Sequence, residues 1–381
     1  MEFLDYATLK FLWWVVIGFT WIGFAVTVGF DLGIAMMLRF VGRTDSERRV
    51  AINAVAPHWD GNQVWLVLAA GALFAAWPNL YATAFSGMYL AMMILLFALI
   101  GRPPAFDYRS KLENSKWRNS WDWVLVMTGF VPPLIFGVAM GNLFLGLPFQ
   151  FDEYMRSTWE GGFLDLLHPF AILSGLLAIA MFLMQGATYL MVRSDAEVYK
   201  RSQRVVDGAA TVVLMLFAGL GIWIAFGIEG MRIVTGGDPS GVANPTLKTV
   251  EVVTGAWTDN YSKYPLMLIA PILGFVGAAI ALILSKAGRA AIAFWGSSLS
   301  IIGIILTAGF SLFPFIMPSS LNPNHGFTAW DAVGSELTLS VSFFAAIVFV
   351  PIIIFYTSWC YKKMWGPHTV ESIEENSHNL Y

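Results

Sequence analysis

Seventeen of the 22 lysines and arginines fall in alternate gaps between long apolar runs. That pattern constrains the chain to thread a bilayer, because basic loops collect on one side of a membrane. The runs are too apolar for any aqueous surface: 57% of residues are hydrophobic, 12% are charged, and there are 30 Phe and 16 Trp. The first run begins near Phe11 and passes through Trp13, Trp14 and Trp21 to Leu38. It has no small-residue cleavage site, so it reads as a retained helix rather than a signal peptide.

A spanning helix needs about 20 apolar residues at about 1.5 Å each, since every backbone amide must be paired where water is absent. By that measure the sequence predicts nine spans, at 10–38, 53–77, 80–101, 121–147, 165–191, 205–229, 263–285, 291–316 and 337–361. The fold class is therefore all-α and polytopic, a single transmembrane helical domain over 1–381. The gaps carrying Arg39, Arg48, Arg102, Arg109, Arg193 and Arg201 belong on the cytoplasmic side. The N-terminus is then periplasmic and the C-terminus cytoplasmic, which requires an odd number of spans. The second span is the weakest by hydropathy, because it carries His58, Asp60, Asn62 and Gln63. The gaps 230–262 and 317–336 read as ordered periplasmic caps, and 364–381 as a polar cytoplasmic tail that holds His378.

One cysteine, Cys360, excludes a disulfide framework and a Cys-rich metal site within the chain. Ionisable groups at membrane depth are costly, so they mark where function is sought. Asp31 precedes Arg39 by eight residues, about 12 Å of helix rise, and Asp60 follows Arg49 in the next run. A hairpin would bring both carboxylates to similar depth, with His58 beside them. Pro57 would open a helical turn whose positive end favours Asp60. Histidine and desolvated carboxylates exchange protons near neutrality, so Asp31, His58 and Asp60 form a candidate proton relay. The alternative is a self-contained polar knot between helices. Asp122 and Asp207 read as first-turn capping residues. His168, with Asp165, reads as interfacial, and pairs such as Met92 and Met93 as packing filler. No metal site is expected, and five His, most of them in loops or tail, argue against a self-contained haem protein.

The segments Gly29–Gly33 (GFDLG), His58–Trp65 (HWDGNQVW), Gly71–Pro78 (GALFAAWP), Phe106–Arg109 (FDYR), Gln185–Leu190 (QGATYL), Phe313–Ser320 (FPFIMPSS) and Trp359–Met364 (WCYKKM) extend from the first run to the tail. Together they resemble subunit II of the bacterial cytochrome bd-type quinol oxidases. The resemblance implies a multi-pass protein of the bacterial inner membrane. It also implies a haem-bearing subunit I that ligates haems b and d, oxidises ubiquinol and reduces oxygen to water, generating proton motive force. This chain would ligate no haem, would stabilise subunit I, and would line a cytoplasmic proton route through Asp60, His58 and Asp31. A small single-helix subunit and membrane lipid are further expected partners; nucleic acid is not. The family's first helix reads Asp-Gly-Phe-Asp, and here Val28 stands at the first of those positions. Arg102, Asp107 and Arg109 are expected to support subunit I or the haem environment, and Trp59 and Trp65 to contact a bound ubiquinone. Two rival readings are a scaffold subunit with no proton role and a secondary transporter. The second would call for an inverted internal repeat, which the sequence does not show.

Overall fold

The structure is a computed structural model that describes residues 4–375. Expectations for residues beyond 375, His378 among them, lie outside the described residues. The first helix, α1 (Tyr6–Val41), starts where the Asp5 carboxylate accepts the Thr8 N–H at 3.1 Å. A capping box between Thr44 and Glu47 opens α2 (Asp45–Val55). Then come α3 (Trp59–Ala76), α4 (Pro78–Gly87), α5 (Tyr89–Ile100), α6 (Arg102–Arg109) and α7 (Ser115–Leu145). A hairpin of β1 (Phe149–Phe151) and β2 (Ser157–Trp159) leads to α8 (Pro169–Arg193) and α9 (Ala196–Phe226). A second hairpin, β3 (Glu229–Thr235) and β4 (Thr249–Thr254), precedes α10 (Asp259–Lys263), α11 (Ile269–Lys286) and α12 (Ala290–Leu312). The chain closes with β5 (Phe315–Met317) paired to β6 (Phe327–Thr328), α13 (Glu336–Lys363) and α14 (Val370–Glu375).

Among the described residues, eight helical segments are long and apolar enough to cross a membrane. The second run is the one outside that set. It divides into amphipathic α2 and the 18-residue α3, and the helix starts at Trp59, not at 53 or at Pro57. Even so, α3 lies antiparallel along α1, with Trp65 against Gly23 and Asn62 against Asp31. The third run is also broken, at Met88 between α4 and α5.

The hub of the bundle is α1, which packs on α2, α3, α7, α8, α12 and α13. Its closest crossing is with α8. A Cβ placed on Gly33 would lie 1.9 Å from the Phe182 carbonyl oxygen, and one on Gly186 would lie 2.6 Å from the Ile34 nitrogen. Only glycine at both positions lets the two backbones touch. Val28, at the position where the resembled family carries an acid, is fully buried in the main apolar core with Phe24 and Leu32.

Two ends can be distinguished. One carries Arg39, Arg48, Arg109, Arg193 and Arg201, and is called the basic end here. The other carries the hairpins. There Lys248 Nζ donates to Asp331 at 2.7 Å, Val250 N–H donates to Asn324 at 2.8 Å, and Lys10 Nζ donates to the Pro239 carbonyl at 3.0 Å. These bonds tie 230–262 and 317–336 to each other and to α1.

His325 accepts the Phe151 N–H on Nδ1 at 3.0 Å, and its Nε2 meets Asn322 at 3.2 Å. Burial, and then the Lys248 charge, push its pKa below the ordinary histidine value. Asp331 also faces this corner through Lys248. The folded state therefore disfavours the protonated ring. The stability it gives is complete above the unfolded value of about 6.5 and declines as pH falls below it. Amide protection at Phe151 should hold above about pH 6.5 and drop as the pH is taken further down; constant protection on acidification below that point, after correction for intrinsic exchange, would contradict this.

Candidate functional site

At the basic end, four helices bring buried polar groups together. Asp31 is fully buried on α1, and its Oδ2 accepts a hydrogen bond from Asn62 Nδ2 on α3 at 2.9 Å. Asn62 Oδ1 in turn accepts the Tyr361 hydroxyl from α13 at 2.6 Å. The Tyr361 ring stacks on His58 with centroids 4.2 Å apart. From α8, Tyr189 stacks on Phe30 at 4.1 Å, one position from Asp31. The Gly33–Gly186 crossing sets the α1 and α8 sides of this arrangement, since there the two backbones meet with no side chain between them.

Asp31 Oδ1, His58 Nε2, the Tyr189 hydroxyl, and Arg193 Nε and Nη1 are buried with no hydrogen-bond partner among the described residues. Each such atom costs about 1–3 kcal/mol unless water or a ligand meets it. Five of them on neighbouring groups leave a buried cluster whose hydrogen-bonding capacity the described residues do not use.

Arg102 reaches the same region from the start of α6. Its Nη1 donates to Gln63 Oε1 at 2.9 Å, its guanidinium lies 5.4 Å from the Trp59 ring centroid, and its charge interacts with Asp31. Arg102 Nε and Nη2 also lack partners among the described residues. Trp59 is fixed by stacking on Phe106, with centroids 5.2 Å apart and planes at 10°.

The structure separates residues that the sequence grouped. Asp60 sits two residues before Asn62, about 200° round the helix, so it points away from Asp31. It is exposed and makes no hydrogen bond or ion pair among the described residues. It heads an exposed stripe of α3 that continues through Val64, Val67, Gly71 and Phe74. Asp107 is likewise exposed and unpaired among the described residues, while its neighbours Arg102 and Arg109 are buried. Trp65 is buried against Gly23 and meets Phe19 edge-on at 5.9 Å, so its faces are taken up by this chain. Trp59 alone of the two tryptophans stands beside unpartnered polar atoms.

Asp122 is not a first-turn cap, because α7 starts at Ser115. It is a buried ion-pair centre, accepting Arg109 Nε at 2.6 Å and Arg48 Nη1 at 2.9 Å. Asp207 also lies beyond the first turn, since α9 begins at Ala196. His168 is the N-cap of α8 and accepts the Phe170 N–H on Nδ1 at 3.2 Å. Among the described residues no three His, Cys, Asp or Glu side chains converge as a metal site.

Tyr361, Tyr189, Arg193 and Gln63 belong to the site without having been singled out in the sequence. Tyr361 and Asn62 are 299 residues apart. No local pattern announces such a pair, although both lie in segments that carry the family resemblance.

The family model for cytochrome bd terminal oxidase subunit II matches residues 9–364. The chain is 50% identical over 378 residues to cytochrome bd-I ubiquinol oxidase subunit 2 of Escherichia coli K12, covering 99% of this chain and 100% of that one. It is 44% identical to the probable cytochrome oxidase subunit 2 of Haemophilus influenzae, with the same coverage. The cytochrome bd ubiquinol oxidase subunit 2 of Bacillus subtilis is 30% identical over 366 residues, 93% of this chain and 95% of that one. Among solved structures, a chain of the bd oxidase from Geobacillus thermodenitrificans superposes with a TM-score of 0.64 at 16% identity, covering 92% of this chain and 97% of that chain. At that identity the likeness speaks for the fold alone.

Proposed function

Because this chain belongs to the cytochrome bd terminal oxidase subunit II family, we propose that it carries protons from the cytoplasm toward the oxygen-reducing centre of a haem-bearing partner. The chain is a subunit of a terminal oxidase and a multi-pass protein of the bacterial inner membrane. The finer topology is part of the proposal. With α3 counted as a ninth span beside the eight apolar segments, the basic end faces the cytoplasm, the hairpins form periplasmic caps, and residues 364–381 form a cytoplasmic tail.

The partner is subunit I, which would ligate haems b and d and oxidise ubiquinol, with a small single-helix subunit and lipid beside it. Haem and oxygen chemistry supply the electron transfer, and each oxygen molecule reduced to water consumes four protons. Two of the described histidines already use a ring nitrogen on the backbone. His168 and His325 each use Nδ1 to accept a backbone amide, and one face of His58 is covered by Tyr361. The reading assigns all haem ligation to subunit I.

The carrying observation is the cluster of buried, unpartnered polar atoms around Asp31, His58 and Tyr189. Water that meets those atoms would link a carboxylate, an imidazole and phenols in one hydrogen-bonded path. Asp60 stands on the other face of α3, outward, where it would pass protons to a partner packed on the exposed stripe. Arg102, buried beside Asp31, would balance the carboxylate charge. Its two unpartnered nitrogens beside Trp59 also fit a quinone carbonyl, with the indole flanking the ring. Arg109 would hold the basic end together for subunit I, and Asp107 would offer a carboxylate to that partner from the surface.

Asp31→Asn and Asp60→Asn, each in an assembled oxidase, should lower oxygen consumption by roughly tenfold or more while leaving the haem spectrum intact. Full turnover in both variants would establish the scaffold reading instead.

A further inference from the structure

We infer that the unpartnered atoms of Asp31, His58, Tyr189 and Arg193 enclose an internal water chamber, and that this chamber opens to solvent at Arg193 and His368, beneath residues 364–375. The inference rests on the proton-carrying reading and assigns that path a mouth inside this chain.

Arg193 is the last residue of α8, and its side chain is buried. Its guanidinium spends one nitrogen outward: Nη2 donates to the Met364 carbonyl at 3.1 Å and meets His368 Nε2 at 3.1 Å. Nε and Nη1 remain unpartnered and buried. Arg193 follows Tyr189 by one turn of α8, Tyr189 stacks on Phe30, Phe30 meets Tyr361 edge-on at 6.3 Å, and Tyr361 stacks on His58, so these groups are neighbours. Arg193 thus faces the chamber on one side and the post-α13 segment on the other.

That segment is folded as a cover. After α13 the chain turns back, and the His368 N–H donates to the Arg193 carbonyl at 2.8 Å. Trp365 lies over the guanidinium at 5.4 Å, and α14 packs on α2 with Ile373 fully buried beside Val50 and Val55. His368 is half-buried, while Met364, Trp365 and Pro367 around it are exposed. It is therefore the side chain that stands between solvent and Arg193.

Burial and the adjacent Arg193 charge hold the His368 pKa below the ordinary histidine value, so the ring is neutral near pH 7 and releases a proton readily. Because Arg193 is a donor only, His368 Nε2 is the acceptor in their contact. The ring takes a proton from solvent on Nε2 as the Arg193 contact opens, and gives it to a chamber water as the contact re-forms. One N–H bond forms and breaks, and Arg193 keeps its charge throughout. Asp31, when ionised, offsets that charge from the far side of the chamber.

The test uses the whole oxidase in inside-out vesicles. His368→Gln keeps a side chain that can accept from Arg193 but cannot exchange a proton. It should lower oxygen consumption roughly tenfold, enlarge the solvent deuterium isotope effect, and leave haem content unchanged. His368→Ala should be slowed likewise and regain turnover when imidazole is added to the outer bath. Normal turnover and isotope effect in His368→Gln, with Asp31→Asn still slow, would place the mouth elsewhere and overturn this inference alone. Normal turnover in Asp31→Asn would instead remove the path itself.

Discussion

Gly33→Val should eliminate the assembled subunit, with the yield of haem-containing complex after detergent extraction falling to background. The new Cβ would sit 1.9 Å from the Phe182 carbonyl oxygen and 3.0 Å from the Gly186 Cα. Both obstacles are backbone, so no rotamer change relieves the clash, and α1 would have to part from α8 along the crossing that holds the bundle. Helix pairs in a membrane gain little from the hydrophobic effect and depend on close backbone approach, so the loss is not made up elsewhere. Gly18→Ala is the matched control, because a Cβ there meets nothing within 4 Å, and it should assemble normally. Wild-type yield for Gly33→Val would mean that the crossing does not organise the bundle.

Arg109→Leu should lower the stability of the basic end by about 3–5 kcal/mol, the range for removing one partner of a buried ion pair. Arg109 is almost fully buried, and it bridges Asp122 and Asp45, with Nη2 donating to Asp45 at 2.9 Å. Without it Asp122 keeps only Arg48, while remaining fully buried. The measurement is the thermal unfolding midpoint of the purified complex. Arg109→Leu combined with Asp122→Leu should recover part of the loss, since the buried carboxylate goes with its main partner while Arg48 keeps its bond to the Gly42 carbonyl. Arg109→Lys should fall between, because a single ammonium cannot present the fork that reaches two carboxylates. A midpoint unchanged in Arg109→Leu would show that the network adds no stability.

Much of the architecture is legible along the chain. Apolar length marks the α1, α7, α8, α9, α12 and α13 spans to within a few residues at most boundaries, because a bilayer imposes the same requirement on every crossing segment. The breaks at Met88 and between α2 and α3 are less legible. A hydropathy window averages over a short break, and α3 carries Asn62 and Gln63 because it lies beside Asp31 of α1, Arg102 of α6 and Tyr361 of α13. Lipid alone would not tolerate them.

The site shows the same division. Asp31 and His58 are recognisable as ionisable residues within apolar runs, whereas Arg102 reads as part of a basic loop and only the packing buries it; Asp60 belongs to the opposite face of α3. A helix turns about 100° per residue, so sequence proximity to Asn62 misleads. The Asp122 assignment failed for a related reason: the polar first turns of α7 disguise its start at Ser115, and the partners that need a carboxylate come from α2 and α6.

What the amino-acid order alone determined is the class of this protein and the distribution of its basic residues, since the cost of unpaired amides and charges in hydrocarbon acts on each segment separately. What only the tertiary structure decided is which polar atoms share a volume. Tyr361 reaches Asn62 across 299 residues, and Arg193 meets His368 across 175, because α1 and α8 touch at two glycines and position the helices around them. Proximity of that kind is a property of the packed bundle, set by helix rotation and crossing, and no single segment encodes it.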